Sequence, residues 1–464
     1  MIFFYLSAFT LLAVFTGAGA MLGGHGGKSD YSLGGRKAGA AGVTGILLGA
    51  LVGGASTVGT VQMAYSYGLT AWWFTLGGGI GCLLLGLRFA VPLRNSEVTT
   101  IADYLEKSFG GRLGASIALT ATISSSAGTF ISICSQFISC IALIRGVVPL
   151  PATAAAAAAA LAIWGFIAAG GIKGFSKLGE AKIIVLYIVL IVCAAAACRS
   201  IGLGTAAHKL GFHPWFNIFG RGFFPELGYF ASMIAGVFTT QIYIQAIEAA
   251  SDAATARKGA LLSAILMPPM GLLGSWIGIS VRARGVVIPP DRVISWFITD
   301  TFPPLLGGLI WGGLLITVIG AAAGLILGVA ANIAKNFIPK KFMQRLSEKH
   351  SNADARIQRE IVFVIILVAA LLGLGGADSM ILEWSFLSMG LRGAGTFFPF
   401  VISLLAPGAL ASKWALAASI GGLAGMLLWA FAGLPLDPLF AGLAVSFAFC
   451  AAGIMIARRS CPHL

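Results

Sequence analysis

Gly49-Ala-Leu-Val-Gly-Gly-Ala-Ser-Thr-Val-Gly-Thr60 lies inside an apolar run that is otherwise long enough to cross a bilayer. Glycine and hydroxyl residues crowd its middle, so a continuous helix there is weak. Each interior Gly costs about 1 kcal/mol relative to Ala. In lipid, an unwound backbone is tolerated only where protein or a wet cavity satisfies its polar groups. Such breaks hold substrate and ions at mid-membrane in transporters. The competing reading is close helix packing, which small residues also permit.

The rest of the chain supports a membrane setting. Apolar residues make up 58% of the 464 residues and charged residues 10%, with a mean hydropathy of +0.94. A soluble domain carries about 25% charged residues. The sequence therefore reads as one all-α polytopic membrane domain spanning 1–464. The longest polar run, Pro339–Arg359, is too short to fold alone. The net charge of +14 does not indicate nucleic acid, because the basic residues fall in alternate loops. The seven cysteines mostly sit inside apolar runs without metal-type spacing, and the five histidines form no cluster. No cofactor is expected, and no nucleophile–base pair or phosphate loop suggests an enzyme. Tyr5–Leu22 has no preceding Lys or Arg and reads as a true first span, not a signal peptide.

Thirteen spans are expected, at about 2–22, 40–67, 69–92, 113–144, 149–170, 178–201, 226–249, 259–282, 304–336, 360–376, 379–406, 413–432 and 436–457. One set of loops carries 21 Lys and Arg and the opposite set 7, which places the N-terminus outside and the C-terminus in the cytoplasm of the plasma membrane. Asn95–Gly111 reads as a short amphipathic cytoplasmic helix, and Pro289–Pro304 as an external interfacial helix.

Several motifs then line up. Ser29-Asp30-Tyr31-Ser32-Leu33-Gly34-Gly35-Arg36, Ala64-Tyr65-Ser66-Tyr67-Gly68-Leu69 and Thr100-Ile101-Ala102-Asp103-Tyr104-Leu105 occur at successive loops. Gln241–Gln245, Ala249–Asp252, Ala256–Gly259 and Asn332–Asn336 follow. In this order the chain resembles the sodium/solute symporter family, of the amino acid–polyamine–organocation superfamily, from residue 29 to about 410. The resemblance implies a LeuT-like fold. An extra first helix (1–22) precedes two inverted five-helix repeats (40–201 and 226–406), and two extra helices (413–457) follow. Each repeat should open on a broken helix, at Gly49–Thr60 and at Ser232–Gln241 around Gly236.

Against the family pattern, the sodium site is depleted. The resemblance places its carbonyl ligands at Gly49 and Val52 and its hydroxyl pair at Gly320 and Ala321, neither of which can coordinate a hard cation. Thr317 is the nearest hydroxyl. The carboxylate that usually follows the Gly170-Gly171 lead-in is replaced by Leu178-Gly179. Lys182 stands one turn further on. Its ammonium is either a substitute for sodium, as in LeuT-fold transporters that work without sodium, or a snorkelling surface charge. Sodium remains possible by resemblance but doubtful from the residues.

At the substrate position the residues that would suit a sugar are missing: the matched positions hold Ser56, Gly236 and Thr240. The remaining lining is small and hydroxylic, with Ala55, Thr57, Ser125, Thr129 and Gln241; interhelical glue is the alternative role. Arg392, inside the eleventh span, is either a carboxylate anchor, an ion-pair partner of Glu383 or a cap for a break at Gly390, Gly393 and Gly395. Glu226 and Glu248, near the two ends of the seventh span, are either gate residues or solvated terminal charges. The function expected is secondary active transport of a small organic solute, an organic anion or amino acid before a sugar, running without sodium or coupled to protons. The alternatives are an orthodox sodium symporter with non-standard ligands, and a transporter-like sensor acting with a partner protein.

Overall fold

A computed structural model describes residues 1–23, 36–336 and 353–460. The Ser29–Arg36 motif short of Arg36, and most of the Pro339–Arg359 run, lie outside the described residues. Among the described residues every regular element is helical, apart from a single bridge between Ala38 and Ala250.

In chain order the helices are α1 (Ile2–Gly23), α2 (Ala40–Leu51), α3 (Thr60–Tyr67), α4 (Trp73–Leu84), α5 (Ala90–Asn95), α6 (Ile101–Phe109), α7 (Gly111–Arg145), α8 (Ala152–Ser200), α9 (Leu203–Leu210), α10 (Phe223–Thr239), α11 (Gln241–Glu248), α12 (Ala253–Ala283) and α13 (Val293–Thr301). They continue as α14 (Pro304–Asn336), α15 (Ala353–Gly375), α16 (Ile381–Ala394), α17 (Phe397–Leu405), α18 (Ser412–Phe431) and α19 (Pro438–Ser460). Among the described residues, eight helices are long and apolar enough to cross a membrane, or ten if each of two bent pairs counts as one span, and three shorter apolar helices accompany them. The thirteen expected spans are not all separate elements. Segments 149–170 and 178–201 run together as α8, because its alanine-rich sequence strongly favours helix and the glycines at 170, 171 and 174 weaken it without ending it.

Local chemistry explains the boundaries. Thr100 caps α6 by accepting from the Asp103 N–H at 2.9 Å, and Asp252 caps α12 by accepting from Thr255 N–H at 2.8 Å. The turn between α3 and the helix after it is made at Gly68, where φ is +77° and a Cβ would sit 2.6 Å from the Trp215 Cα. The two segments expected to be interfacial contain the short helices α6 and α13.

α7 packs on α16, α14 and α6, while α12 packs on α3 and α4. α14 is buried along most of its length. α1 covers α8 and α14, and α18 pairs with α19 at the periphery, leaving Leu428, Phe431 and Phe447 exposed on what is a lipid-facing surface. At the centre α2 packs on α14, the turn at 55–59 and α16 pack on α7, and α10 packs on α16; these positions build the candidate site.

Candidate functional site

The first interruption falls within the quoted stretch. α2 ends at Leu51, Val52 turns to an extended conformation (φ −96°, ψ 106°), and the chain resumes as a π-helical turn, Ala55–Gly59, leading into α3. π-turns concentrate at functional sites. A helix ends with four carbonyls lacking intrahelical donors. The N–H of Gly53 bonds to the Ser56 hydroxyl at 3.0 Å, which leaves the Gly49 carbonyl without its i+4 donor. Lys182 supplies a replacement: its Nζ donates to the Gly49 oxygen at 2.8 Å, and the side chain is 2% exposed. An ammonium at a helix C-terminus also meets the negative end of the helix dipole.

Other backbone groups of the break are bonded internally. The Ser56 and Thr57 hydroxyls donate to the Gly53 carbonyl at 3.1 and 2.8 Å, and Gly54 N–H donates to Gln136 Oε1 at 2.7 Å. Gly53 is needed for close approach. A Cβ there would sit 2.5 Å from Gln136 Oε1 and 2.7 Å from the Ala321 Cβ. Gly320 faces the stem of Lys182; a Cβ on it would meet the lysine Cδ at 3.6 Å and nothing else within 4 Å. Thr317 donates its hydroxyl to Gly313 of its own helix at 2.8 Å.

The second interruption is displaced from its expected centre. Gly236 is helical, and the break is at Thr240, where α10 and α11 meet at 49°. Gly236 serves packing: a Cβ there would sit 2.6 Å from the Met389 Cβ. The Thr240 hydroxyl donates back to the Gly236 carbonyl at 2.6 Å, which takes up an orphan acceptor at the end of α10.

Arg392 closes on this break and is fully buried. Its guanidinium donates to Thr240 Oγ1 at 2.7 Å, Ser132 Oγ at 2.7 Å, Ser388 Oγ at 2.9 Å and the Gly128 carbonyl at 3.4 Å. The Tyr243 hydroxyl lies against it. Nε has no acceptor. No Asp or Glu lies within 4 Å of either Arg392 or Lys182 among the described residues.

Glu383 is not the partner of Arg392. It is half-exposed and pairs with Arg221 at 3.5 Å, because it lies more than two turns earlier on α16, in the first turn of that helix. Arg221 also donates to the Tyr229 hydroxyl at 2.6 Å and lies over the Tyr67 ring at 4.7 Å. Glu226 and Glu248 are fully buried, not solvated, because neighbouring elements cover them, although Phe223 and Phe224 at the start of α10 are exposed. Glu248 lies 3.9 Å from Arg36, which in turn donates to the Glu97 carbonyl at 2.7 Å.

Of the expected substrate residues, Arg392, Thr240 and Gly236 come together, whereas Ala55, Ser56 and Thr57 belong to the first break. Thr129 donates to the Ser125 carbonyl at 2.7 Å. Gln241 reaches the chain before α6, donating to the Thr99 carbonyl and accepting from Ile101 N–H, each at 3.1 Å. Ser388 and the Gly128 carbonyl were missed by sequence reasoning. Ser388 had a usable signal, since it stands four residues before Arg392 and so on the same helical face. The carbonyl of Gly128 had none.

Among the described residues the chain is all-helical, with interrupted spans and buried cations at the breaks, the architecture of a multi-pass membrane protein. The sequence matches the Sodium:solute symporter family over residues 31–422, and the chain belongs to that family. The human high affinity choline transporter 1 is 22% identical over 318 residues, covering 64% of this chain and 54% of the human protein. The Torpedo marmorata high-affinity choline transporter 1 is 23% identical over 350 residues, 71% of this chain and 57% of the relative. The chain thus spans little more than half the length of these curated relatives. Among solved structures, a substrate-bound outward-open Na+-coupled sialic acid symporter superposes with a TM-score of 0.74 at 15% identity, covering 98% of this chain and 97% of that one. Inward-facing Mhp1 gives 0.55 at 15% identity, with 93% of each chain covered. At this identity the likeness shows the fold alone, and that fold is LeuT-like. The family and the solved structures that the chain resembles are of transporters, not enzymes.

Proposed function

We propose that this protein carries a small organic anion across the plasma membrane by alternating access, with its N-terminus outside, and that Lys182 stands where a sodium ion would bind. Two of the helix interruptions are met by a buried cation that has no carboxylate partner among the described residues, Lys182 at Gly49 and Arg392 at Thr240. A sodium ion needs several oxygen ligands. Here the Gly49 oxygen already accepts from an ammonium, and positions 320 and 321 offer no hydroxyl. Lysine can release its proton when desolvated, which supplies a route to proton coupling. A guanidinium suits bidentate capture of a carboxylate. The same charge opposes a quaternary ammonium, so the choline named for the two relatives is not the substrate favoured here.

Uptake into proteoliposomes tests this directly. A panel of labelled carboxylates, amino acids and choline is offered with and without sodium, and with an imposed pH gradient. Carboxylate uptake that is indifferent to sodium and driven by the pH gradient is expected. Strict sodium dependence would overturn the role given to Lys182. Preferential choline uptake would overturn that of Arg392, and binding without flux would favour a sensor.

A further inference from the structure

On the side of Arg392 toward α6, a narrow polar opening runs between α7, α10–α11, α14 and α17. Its walls include Ser125, Thr239, Gln241 and Thr396. Three of the elements that hold Arg392 also line this opening within about one helical turn of it. α7 gives Gly128 to the guanidinium and Ser125 to the opening, and the second break gives Thr240 and Thr239. The chain from α16 to α17 gives Arg392 itself and Thr396.

Most hydroxyls here are already bonded along their own helices. Thr239 donates to the Ala235 carbonyl at 2.6 Å, and Thr122 to the Ala118 carbonyl at 2.8 Å. Ser125 and Thr396 differ. Both are more than nine-tenths buried, both line the opening, and neither hydroxyl has a hydrogen-bond partner. Thr396 stands at the 53° bend between α16 and α17, where a threonine would ordinarily cap the second helix, yet its side chain makes no such bond. Buried hydroxyls without partners are uncommon. Among the described residues, the opening has no Lys, Arg, Asp or Glu in its lining.

We infer that Ser125 and Thr396 form a second recognition point about one helical turn from Arg392, so that the preferred substrate is a monocarboxylate with an uncharged hydrogen-bonding group about 5 Å from its carboxylate. This rests on the role proposed for Arg392. The absence of charge in the lining disfavours a second carboxylate or an ammonium at the distal end, because neither would find a counter-charge. It thereby separates hydroxy and amide acids from dicarboxylates and amino acids.

Binding to the purified full-length protein tests the inference by calorimetry with four probes: butyrate, 4-hydroxybutyrate, succinate and 4-aminobutyrate. 4-Hydroxybutyrate is expected to bind about tenfold more tightly than butyrate, with no such gain for succinate or 4-aminobutyrate. The ratio should fall toward one in Ser125→Ala/Thr396→Val and persist in Thr396→Ser, which keeps the hydroxyl. If the double variant does not fold, the single Ser125→Ala variant should still lower the ratio. Equal binding of butyrate and 4-hydroxybutyrate by the unaltered protein would overturn the inference and leave the Arg392 anchor standing. A preference that survives loss of both hydroxyls would do the same. Failure of every carboxylate to bind would overturn both.

Discussion

Replacing Lys182 by Met removes one ammonium while keeping most of the volume of its stem. In the structure that ammonium makes a 2.8 Å charge-assisted bond to the Gly49 carbonyl in a dry setting. Hydrogen bonds to charged groups contribute about 1.5–3 kcal/mol, and an orphaned buried acceptor costs about as much. Because 1.4 kcal/mol is a factor of ten, a loss of about 2 kcal/mol shifts the local equilibrium at the break by about thirtyfold. Amide hydrogen exchange over residues 49–54 should speed up by that order, and uptake driven by a pH gradient should be lost. A complementary variant, Lys182→Ala/Gly320→Ser/Ala321→Ser, removes the cation and returns two hydroxyls. Only the lysine Cδ stands within 4 Å of a Cβ at position 320, so the new side chain has room. Saturation of a restored site at one hundred times its Kd would stabilise the protein by about 2.7 kcal/mol, seen as a sodium-dependent rise in Tm absent from the unaltered chain. If Lys182→Met transports with an unchanged response to the pH gradient, and the triple variant ignores sodium, Lys182 is a packing residue and the coupling proposal is wrong.

Arg392→Lys keeps the charge but loses the fork that bridges Thr240, Ser132 and Ser388, so carboxylate affinity should fall at least about tenfold in direct binding. Arg221→Ala removes contacts to Tyr229, Tyr67 and Glu383 that together contribute about 1–3 kcal/mol. A cysteine introduced at Phe386, stacked at 3.9 Å on Tyr229, should then label several-fold faster with an impermeant thiol reagent. Thr100→Ala deletes the α6 cap at a cost of about 0.5–2 kcal/mol, and exchange within Ile101–Phe109 should accelerate while α7 stays protected.

The first break was legible because glycine and hydroxyl residues both disfavour a continuous helix and both occur there. The second was misplaced by four residues for a physical reason. Glycine has two uses in a membrane helix, breaking it and letting another helix approach, and a sequence does not distinguish them. Gly236 serves the approach of Met389, while the break falls at Thr240. Arg392 stood out as an intramembrane charge, but its cradle did not. The Gly128 carbonyl belongs to the backbone, and Ser132 and Ser388 come from helices 256 positions apart. The burial of Glu226 and Glu248 was also hidden, since a carboxylate near the end of a span reads as solvated until its neighbours are placed.

The two cations are matched in position and opposed in chemistry. Each stands against the C-terminal end of an interrupted helix, α2 or α10, where free carbonyls and the dipole favour positive charge. Under the proposed repeats, 40–201 and 226–406, each also comes from the fifth helix of its own repeat. Arginine does not release its proton in proteins, whereas a desolvated lysine does. Arg392 therefore holds a permanent charge in every state of the cycle, which is what an anion anchor requires. The coupling role proposed for Lys182 requires a group able to change its charge between states, which lysine chemistry permits and arginine chemistry does not. Under the proposed role, loss of that proton would weaken the bond to the Gly49 carbonyl at the end of α2, and this is how protonation of one nitrogen would act on the first break.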